Sequence, residues 1–206
     1  MLRLYDSRTS GNCYKVRLLL AHLGIPYEPV EMDVVNREKR VEQLGDKNPA
    51  AKIPILELED GRCIAESNAI LWHLADGTKY LSADPFERVK TLQWLFFEQN
   101  NLEVNVAVAR YWIHVLKDPE RFREPLKIRQ SGGRAALAAM ERFLAKHPFF
   151  VADRYSIADI SLYGYTHVAR DGGFDLDAYP AVGKWIGRVR EQPGHIRLED
   201  LGTAAR

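Results

Sequence analysis

The stretch IPILELEDGRCIA, residues 53–65, decides how the first part of this chain folds. Its two apolar halves flank Asp60-Gly61, a pair that is typical of tight turns between antiparallel strands. The sequence therefore predicts two strands joined by a hairpin. Glu66 and Ser67 follow at once, and the apolar residues after them recur at helical spacing, so a helix is expected to begin directly after the second strand.

The residues before this hairpin predict two further strands and two helices. Residues 2–5 and 27–34 are short, mainly apolar runs that are typical of strands. A helix is expected between them, ending at Gly24 and Pro26, and a weaker helix is expected over 36–44. The resulting order is β-α-β-α-β-β-α. A parallel crossover followed by an antiparallel hairpin gives a mixed sheet with helices on its faces, which is a thioredoxin-like arrangement.

The second part of the chain predicts a separate all-α domain. We expect the thioredoxin-like domain to span 1–77, a polar linker rich in Gly, Ser, Asp and Pro to span 78–85, and a helical bundle to span 86–206. The bundle is expected to contain a long helix from 86 to about 116, bent in the middle, and a further helix over 128–145.

Three local signals refine this picture of the second part. Ser156 and Asp159 stand at the spacing of a capping box and predict the start of a helix. The pair Gly132-Gly133 is interpreted as turn or helix-boundary material. The tail after Pro193 is small and polar, so we expect it to pack loosely.

The composition excludes several classes of protein. The chain has 206 residues, with Lys+Arg 29 against Asp+Glu 28, a net charge of +1 and 46% hydrophobic residues, as in an ordinary packed protein. Basic residues form no long run, so nucleic acid is not an expected partner. The only cysteines are Cys13 and Cys63, which favours a reducing compartment. No run approaches the ~18 apolar residues of a membrane span, and the N-terminus lacks a signal-peptide pattern, so we expect a cytoplasmic protein without a membrane partner.

A thioredoxin-like domain raises the question of a redox dithiol after the first strand. The segment CYKV, residues 13–16, has one cysteine where a C-x-x-C motif has two. An internal dithiol cycle is therefore excluded at this position, and thiol chemistry must use Cys13 or a thiol carried by a ligand. The six histidines show no metal-binding spacing, so no metal is expected.

Several motifs resemble those of the soluble glutathione transferases. They are SGNCYKV at 10–16, NPAAKIP at 48–54, ESNAI at 66–70 and SIAD at 156–159, in the order that the family has them. The segments TLQWLFF at 91–97 and YPAV at 179–182 are similar to bacterial members of the Nu class and their fungal, prion-like relatives. The resemblance covers nearly the whole chain. It implies glutathione as co-substrate, a homodimer and a role in detoxification.

The resemblance assigns the thiolate site to the start of the first helix. It aligns Ser10 with a catalytic serine or threonine and Asn12 with an important asparagine of Nu-like members. Both residue types are also preferred helix N-caps, which is the structural alternative. Some classes use a cysteine in this loop for a mixed disulfide, but we favour the structural alternative that Cys13 is a small apolar residue packed under the helix. Cys63 is expected to be structural.

The resemblance also assigns residues that bind the rest of glutathione. It implies a cis Pro54 that exposes the backbone of Ile53 to the cysteinyl group, and Ser67 and Glu66 for the γ-glutamyl carboxylate and amino group. Lys52 is a candidate for the glycyl carboxylate. The alternatives are that Glu66 and Ser67 only cap a helix and that Lys52 is only solvated.

The electrophile site and the reaction remain open at this point. Tyr111, Trp112 and His114 near the end of the long helix are candidates for an apolar substrate pocket in the helical domain, although aromatic residues at helical spacing are also typical of a core. We prefer a transferase that conjugates glutathione to small apolar electrophiles. The alternatives are a glutathione-dependent disulfide or peroxide reductase and a non-catalytic ligand-binding relative.

Overall fold

The computed structural model describes residues 1–201, and they form two compact units. The first unit comprises residues 1–76 together with the tail from Pro193, and the second comprises Gly77–Gln192. The first boundary lies one residue from the predicted end of the thioredoxin-like domain. The tail belongs to the first unit, whereas the sequence places it in the helical domain.

The first unit contains a mixed four-stranded sheet. Its strands are β1 (Leu2–Asp6), β2 (Tyr27–Glu31), β3 (Ile55–Glu57) and β4 (Cys63–Ala65), in the spatial order β2-β1-β3-β4. Strand β1 is parallel to β2 and antiparallel to β3, and β3 is antiparallel to β4. The predicted crossover and the predicted hairpin are both confirmed.

Three helices complete the first unit: α1 (Gly11–Leu23), α2 (Arg37–Leu44) and α3 (Ser67–Ala75). A short 3-10 turn, Gly45–Lys47, follows α2. Helix α1 ends at Gly24, whose φ of 65° lies in the left-handed region that favours glycine. The sheet and helices share one apolar core, which is formed by Leu4, Val16, Leu20, Tyr27, Leu56 and Ile70. The predicted thioredoxin-like order is therefore confirmed.

Strand β2 is shorter than the sequence predicts. It ends at Glu31 rather than at residue 34, because the Asp33 carboxylate accepts the N–H groups of Val35 and Asn36 at 2.8 and 3.1 Å. This local turn bends the backbone away from the sheet. Asn36 then caps α2 by accepting the N–H of Lys39 at 2.9 Å.

The second unit is helical, as predicted. Its elements are α4 (Pro85–Phe97), a π-helical segment (Glu98–Glu103), α5 (Val104–Arg110), a second π-helical segment (Tyr111–Val115), α6 (Arg123–Leu144), α7 (Ile157–Thr166) and α8 (Pro180–Arg190), with 3-10 turns at Glu120–Phe122, Ala169–Gly172 and Leu176–Ala178. The first four follow one another without a gap, so they correspond to the predicted long helix. A π-helical segment, Glu98–Glu103, lies in its middle, where the sequence predicts a bend.

The predicted linker belongs to the second unit, and the interpretation of Gly132-Gly133 as turn or helix-boundary material is wrong. Tyr80 and Leu81 are buried, and the Tyr80 carbonyl accepts the Ile157 N–H at 3.0 Å, so the segment before α4 packs within the second unit. Both glycines lie inside α6. A Cβ on Gly133 would stand 2.3 Å from the Phe174 ring, so close packing, not a turn, requires glycine there.

The predicted capping box at the start of α7 is confirmed. The Asp159 carboxylate is buried and accepts the Ser156 N–H at 3.0 Å, the Phe150 N–H at 3.2 Å and the Trp185 indole N–H at 2.9 Å. Burial raises the pKa of Asp159 to about 7, although these donors favour the ionised form. One side chain thus links the start of α7, the middle of α8 and a loop.

The expectation that the tail packs loosely is wrong for its described part. The Tyr14 hydroxyl donates to the Ile196 carbonyl at 2.6 Å, and the Arg17 guanidinium donates to the Leu198 carbonyl at 2.5 Å. Leu198 is itself buried. The tail therefore packs on α1 because polar groups of that helix bind its backbone. Residues 202–206 lie outside the described part of the chain.

Candidate functional site

The strand register brings three loops to one end of the sheet. Tyr5, near the end of β1, pairs with Ile55, the first residue of β3, and Ile55 also pairs with Ala65, the last residue of β4. The segment that follows β1, the pair Ile53-Pro54 before β3 and the start of α3 after β4 consequently meet at this end. These are the segments in which the sequence places the candidate glutathione site.

Ser10 is the N-cap of α1. Its hydroxyl oxygen accepts the Cys13 N–H at 3.3 Å, and its own N–H donates to the Ser7 carbonyl at 3.0 Å. Ser10 therefore caps α1, as the structural alternative predicts. This role does not exclude the functional interpretation, because capping uses an oxygen lone pair and a hydroxyl retains a proton to donate.

Neither cysteine has the surroundings of a reactive thiolate. Cys13 is fully buried in α1, and burial, followed by the negative charge of Asp6, raises the pKa of its thiol. Cys63 lies in β4, packs against an apolar cluster of the first unit, and also has a pKa raised by burial. Both observations support the structural interpretation of the two residues.

Asn12 and Ser67 join the N-termini of α1 and α3. The Asn12 Oδ1 accepts from the Ser67 hydroxyl at 3.3 Å and from the Lys15 ammonium at 2.8 Å. Ser67 and Lys15 are both buried. Because unpaired N–H groups and the helix dipole make each N-terminus electropositive, the place where two of them meet favours an anion.

Glu66 has an unusual backbone at the start of α3. Its φ is 70° and its ψ 115°, a region that non-glycine residues rarely occupy. Its exposed side chain caps no backbone N–H of α3 in the described structure, so the alternative of a capping role for this carboxylate is wrong. Such backbone conformations cluster at ligand sites.

The segment before β3 has the geometry that the resemblance implies. The Ile53–Pro54 peptide bond is cis, and Pro54 is buried. Lys52 is exposed, and its carbonyl accepts the Asn48 side-chain amide at 2.9 Å. The backbone of this segment is thus held from inside the first unit, while the Lys52 ammonium extends from its surface.

The three aromatic candidates for the electrophile pocket lie in the second unit. Tyr111, Trp112 and His114 all belong to the second π-helical segment. Trp112 stacks on Phe122 with ring centroids 4.6 Å apart, and His114 is exposed with Nδ1 3.8 Å from the Asp171 carboxylate. The stacking on Phe122 explains Trp112 as a packing residue. The substrate pocket stays a prediction.

Two buried basic residues of α1 were missed in the sequence. Lys15 contacts Asn12, and Arg17 lies 2.5 Å from the Asp6 carboxylate while also donating to the Ser7 carbonyl at 3.2 Å. Arg17 and Asp6 are both fully buried. The sequence alone did not show their burial, since charged residues are seldom buried unless they pair with groups elsewhere in the chain.

The described residues 1–201 hold no group of three or more His, Cys, Asp and Glu side chains arranged to bind a metal ion. Within the same range, none of the helices has the length and apolar character needed to cross a membrane.

Comparison with known proteins gives two family matches. The family described as glutathione S-transferase, N-terminal domain, matches residues 1–76, and the C-terminal domain of the same family matches residues 126–188. The first match lies in the first unit and the second match lies in the second unit.

Two curated relatives match over most of their length. The disulfide-bond oxidoreductase YfcG of Escherichia coli is 28% identical over 200 residues, which are 94% of this chain and 92% of that protein. A maleylacetoacetate isomerase of Rhizobium meliloti is 32% identical over 188 residues, or 87% of this chain and 86% of the relative. Proteins named for different activities are thus similar to this chain.

Solved structures agree with these matches. A glutathione S-transferase from Pseudomonas fluorescens Pf-5 is 46% identical, with a TM-score of 0.93 and coverage of 97% of this chain and 99% of that one. Ure2p in complex with glutathione shares the fold at 23% identity, with a TM-score of 0.83 and coverage of 94% and 95%. The resemblance to bacterial and fungal members is confirmed. The chain belongs to the glutathione S-transferase family, and the proteins similar to it include ones named as a glutathione S-transferase, an isomerase and a disulfide-bond oxidoreductase.

Proposed function

We propose that this protein is a glutathione transferase that conjugates the thiolate of glutathione to small apolar electrophiles. The observation that carries the proposal is the junction of two helix N-termini through Asn12 and Ser67, at the end of the sheet where β3 begins. A tripeptide with a thiol and two carboxylates fits a site of this kind, because each helix start offers N–H donors to an anion.

The γ-glutamyl end of glutathione is assigned to the start of α3. Since the Ser67 hydroxyl donates to Asn12, the Ser67 N–H is the donor that remains for the carboxylate. The exposed Glu66 carboxylate pairs with the amino group of the ligand. The backbone of Ile53, next to Pro54, takes the cysteinyl peptide group, and Lys52 takes the glycyl carboxylate.

The thiolate is assigned to the start of α1, with Ser10 as the main donor and Asn12 as the second. A thiol with a pKa near 8.5 is about 3% ionised at pH 7, and lowering that pKa by about two units requires about 2.7 kcal/mol. One hydrogen bond to a charged group supplies about 1.5 to 3 kcal/mol and a helix N-terminus about 0.3 to 1. No general base is required, and the thiol proton leaves to water.

Ionisation explains only a small part of the expected rate. The thiolate fraction rises about 25-fold at pH 7 when its pKa falls by about two units. A less basic thiolate is also a weaker nucleophile, and a Brønsted slope of about 0.45 lowers its rate of attack about 8-fold. The net gain in rate is therefore about threefold. Most of the acceleration must come from holding the thiolate beside its electrophile. Tyr111, Trp112 and His114 are proposed for that pocket.

Thermal unfolding and turnover together test this proposal. A ligand that binds only the folded state raises the melting temperature, so millimolar glutathione should stabilise the protein while its γ-methyl ester stabilises it less. Turnover of an aryl halide should require glutathione. A melting temperature unchanged by glutathione would overturn the proposal.

A glutathione-dependent disulfide reductase is the second candidate. It is favoured by the similarity to the E. coli protein named a disulfide-bond oxidoreductase and by the burial of Cys13, which leaves glutathione as the source of the thiolate. Here one glutathione thiolate attacks the substrate disulfide, and a second releases oxidised glutathione. Faster turnover of a small disulfide than of an aryl halide, retained in Cys13→Ala, would favour this candidate.

We further propose that the protein acts as a homodimer in the cytoplasm. Phe86, Val89 and Phe96 lie on one side of α4 with relative exposures of 71%, 59% and 63%, which is unusual for large apolar side chains. Both cysteines are free, as expected in a reducing compartment. Sedimentation at micromolar concentration should give a dimer, and Phe86→Glu with Phe96→Glu should give a monomer. A wild-type monomer would contradict the proposal.

A further inference from the structure

Lys15 fixes the orientation of the Asn12 side chain. It lies one helical turn after Asn12 in α1, and its Nζ is 2.8 Å from the Asn12 Oδ1. An ammonium group has donors and no acceptor, so the amide atom that faces it must be the carbonyl oxygen. The Ser67 hydroxyl contacts the same oxygen at 3.3 Å. The Asn12 amide therefore cannot turn over without losing its bond to Lys15, and its NH₂ group must point away from Lys15.

The burial of Lys15 is costly for the fold. Its relative exposure is 0%, although lysine is among the residues least often buried. Removing an ammonium group from water has a large solvation penalty, and an apolar side chain of similar length would fill the same space without that penalty. A contribution to the site explains the presence of Lys15 better than packing does.

We infer that Lys15 is a positioning residue that holds the Asn12 NH₂ group as a donor to the glutathione sulfur. The inference rests on the proposed function, since it needs a thiolate at the start of α1. A hydrogen bond from a cation to the amide oxygen polarises the amide and makes its N–H groups better donors. The Ser67 hydroxyl strengthens the same effect and connects it to the helix that is assigned to the carboxylate end of the ligand.

The test is an ultraviolet titration of bound glutathione thiolate in Lys15→Met. The apparent pKa of the bound thiol should rise by about one unit, a tenfold loss of thiolate below that pKa. Affinity for S-methylglutathione, which has no thiol to ionise, should change less than threefold. Lys15→Arg keeps a donor-only cation and should restore most of the effect. Lys39→Met, a substitution of an exposed lysine in α2, is the matched control and should resemble wild type.

A double-mutant cycle separates positioning from a general effect of charge. If Lys15 acts through Asn12, then Lys15→Met should change the thiol pKa by less than 0.3 unit, about twofold, in an Asn12→Ala background. An equal effect in both backgrounds would overturn the inference in favour of direct electrostatics. A lower melting temperature with an unchanged thiol pKa would overturn it in favour of a structural role.

Two further outcomes keep the test decisive. If wild type shows no bound thiolate at any pH, the proposed function fails, and the inference fails with it. If wild type shows the thiolate and Lys15→Met lowers it only where Asn12 is present, the inference stands. If Lys15→Met does not fold, Lys15→Gln replaces it, because a glutamine amide can face Asn12 with either end and so cannot fix its orientation.

Discussion

Replacing Ser10 separates its two roles at the start of α1. Ser10→Ala removes the acceptor for the Cys13 N–H and also the hydroxyl donor. The capping bond is long, at 3.3 Å, so we expect a loss of about 1 kcal/mol in the free energy of unfolding, in the middle of the range for N-cap substitutions. The loss of a bond to a charged sulfur is worth about 1.5 to 3 kcal/mol, which should raise the pKa of the bound thiol by about one to two units.

Matched variants at the same position sharpen this prediction. Ser10→Asp keeps a good capping acceptor but brings no proton at neutral pH, so stability should be retained while the thiol pKa rises. Ser10→Thr keeps both functions and should resemble wild type. Urea denaturation measures the first property, and ultraviolet titration of bound glutathione measures the second.

The result that refutes this reasoning is a stability loss in Ser10→Ala with a thiol pKa within 0.3 unit of wild type, about twofold in thiolate. Ser10 would then be a cap alone. If Asn12→Ala raised the thiol pKa instead, the main role would pass to Asn12. Loss of all activity in Cys13→Ala would indicate a mixed-disulfide mechanism.

Three other outcomes are expected. Arg17→Met leaves the buried Asp6 carboxylate without its partner and should lower the free energy of unfolding by about 3 to 5 kcal/mol, measured by urea denaturation. Adding Asp6→Asn should recover much of this loss. Additive losses from the two substitutions would contradict the pairing. Burial raises the pKa of Asp159 to about 7, so the folded carboxyl keeps a proton that the unfolded chain releases near pH 4, and stability should fall as pH rises through this interval. Relative to Asp159→Asn, wild type should lose about 2 to 3 kcal/mol in the free energy of unfolding between pH 5 and pH 8. The same dependence of stability on pH in both proteins would contradict the raised pKa of Asp159. Ser67→Ala keeps the N–H assigned to the carboxylate and removes only the hydroxyl that donates to Asn12, so the thiol pKa should rise while glutathione affinity changes less than about threefold; a loss of affinity of about tenfold with an unchanged thiol pKa would contradict this assignment.

The parts of the fold that could be predicted depend on local signals. Asp60-Gly61 between two apolar runs is sufficient for the hairpin, and Gly24 is sufficient for the end of α1, because turn and cap conformations are determined by a few neighbouring residues. Ser156 and Asp159 likewise carry the whole capping box within four residues. Tertiary contacts add to these elements without changing them.

The errors at Gly132-Gly133 and in the tail concern residues whose environment is set by distant parts of the chain, whereas β2 ends early because of a local turn at Asp33. Gly132 and Gly133 suit a turn locally, yet the approach of Asn105 and Phe174 keeps them in a helix. The tail is polar, yet Arg17, about 180 residues earlier, binds its backbone. Burial of a charged side chain depends on such partners, so no local pattern could reveal it.

The same distinction applies to the candidate site. Ser10, Asn12, Glu66 and Ser67 stand at helix starts, where sequence signals are strong, and the strand register then brings the two starts together. Lys15 has no comparable signal, since an exposed lysine in a helix looks the same in sequence. Its importance becomes visible only through its burial and its contact with Asn12.

The central claim is that the first unit binds glutathione and stabilises its thiolate. The most direct measurement is the absorbance difference of bound glutathione near 240 nm as pH is varied, with S-methylglutathione as the blank. We predict an apparent thiol pKa of about 6.5, two units below the ordinary value of about 8.5. Saturable binding with a thiol pKa near 8.5, or no binding at millimolar glutathione, would contradict the claim.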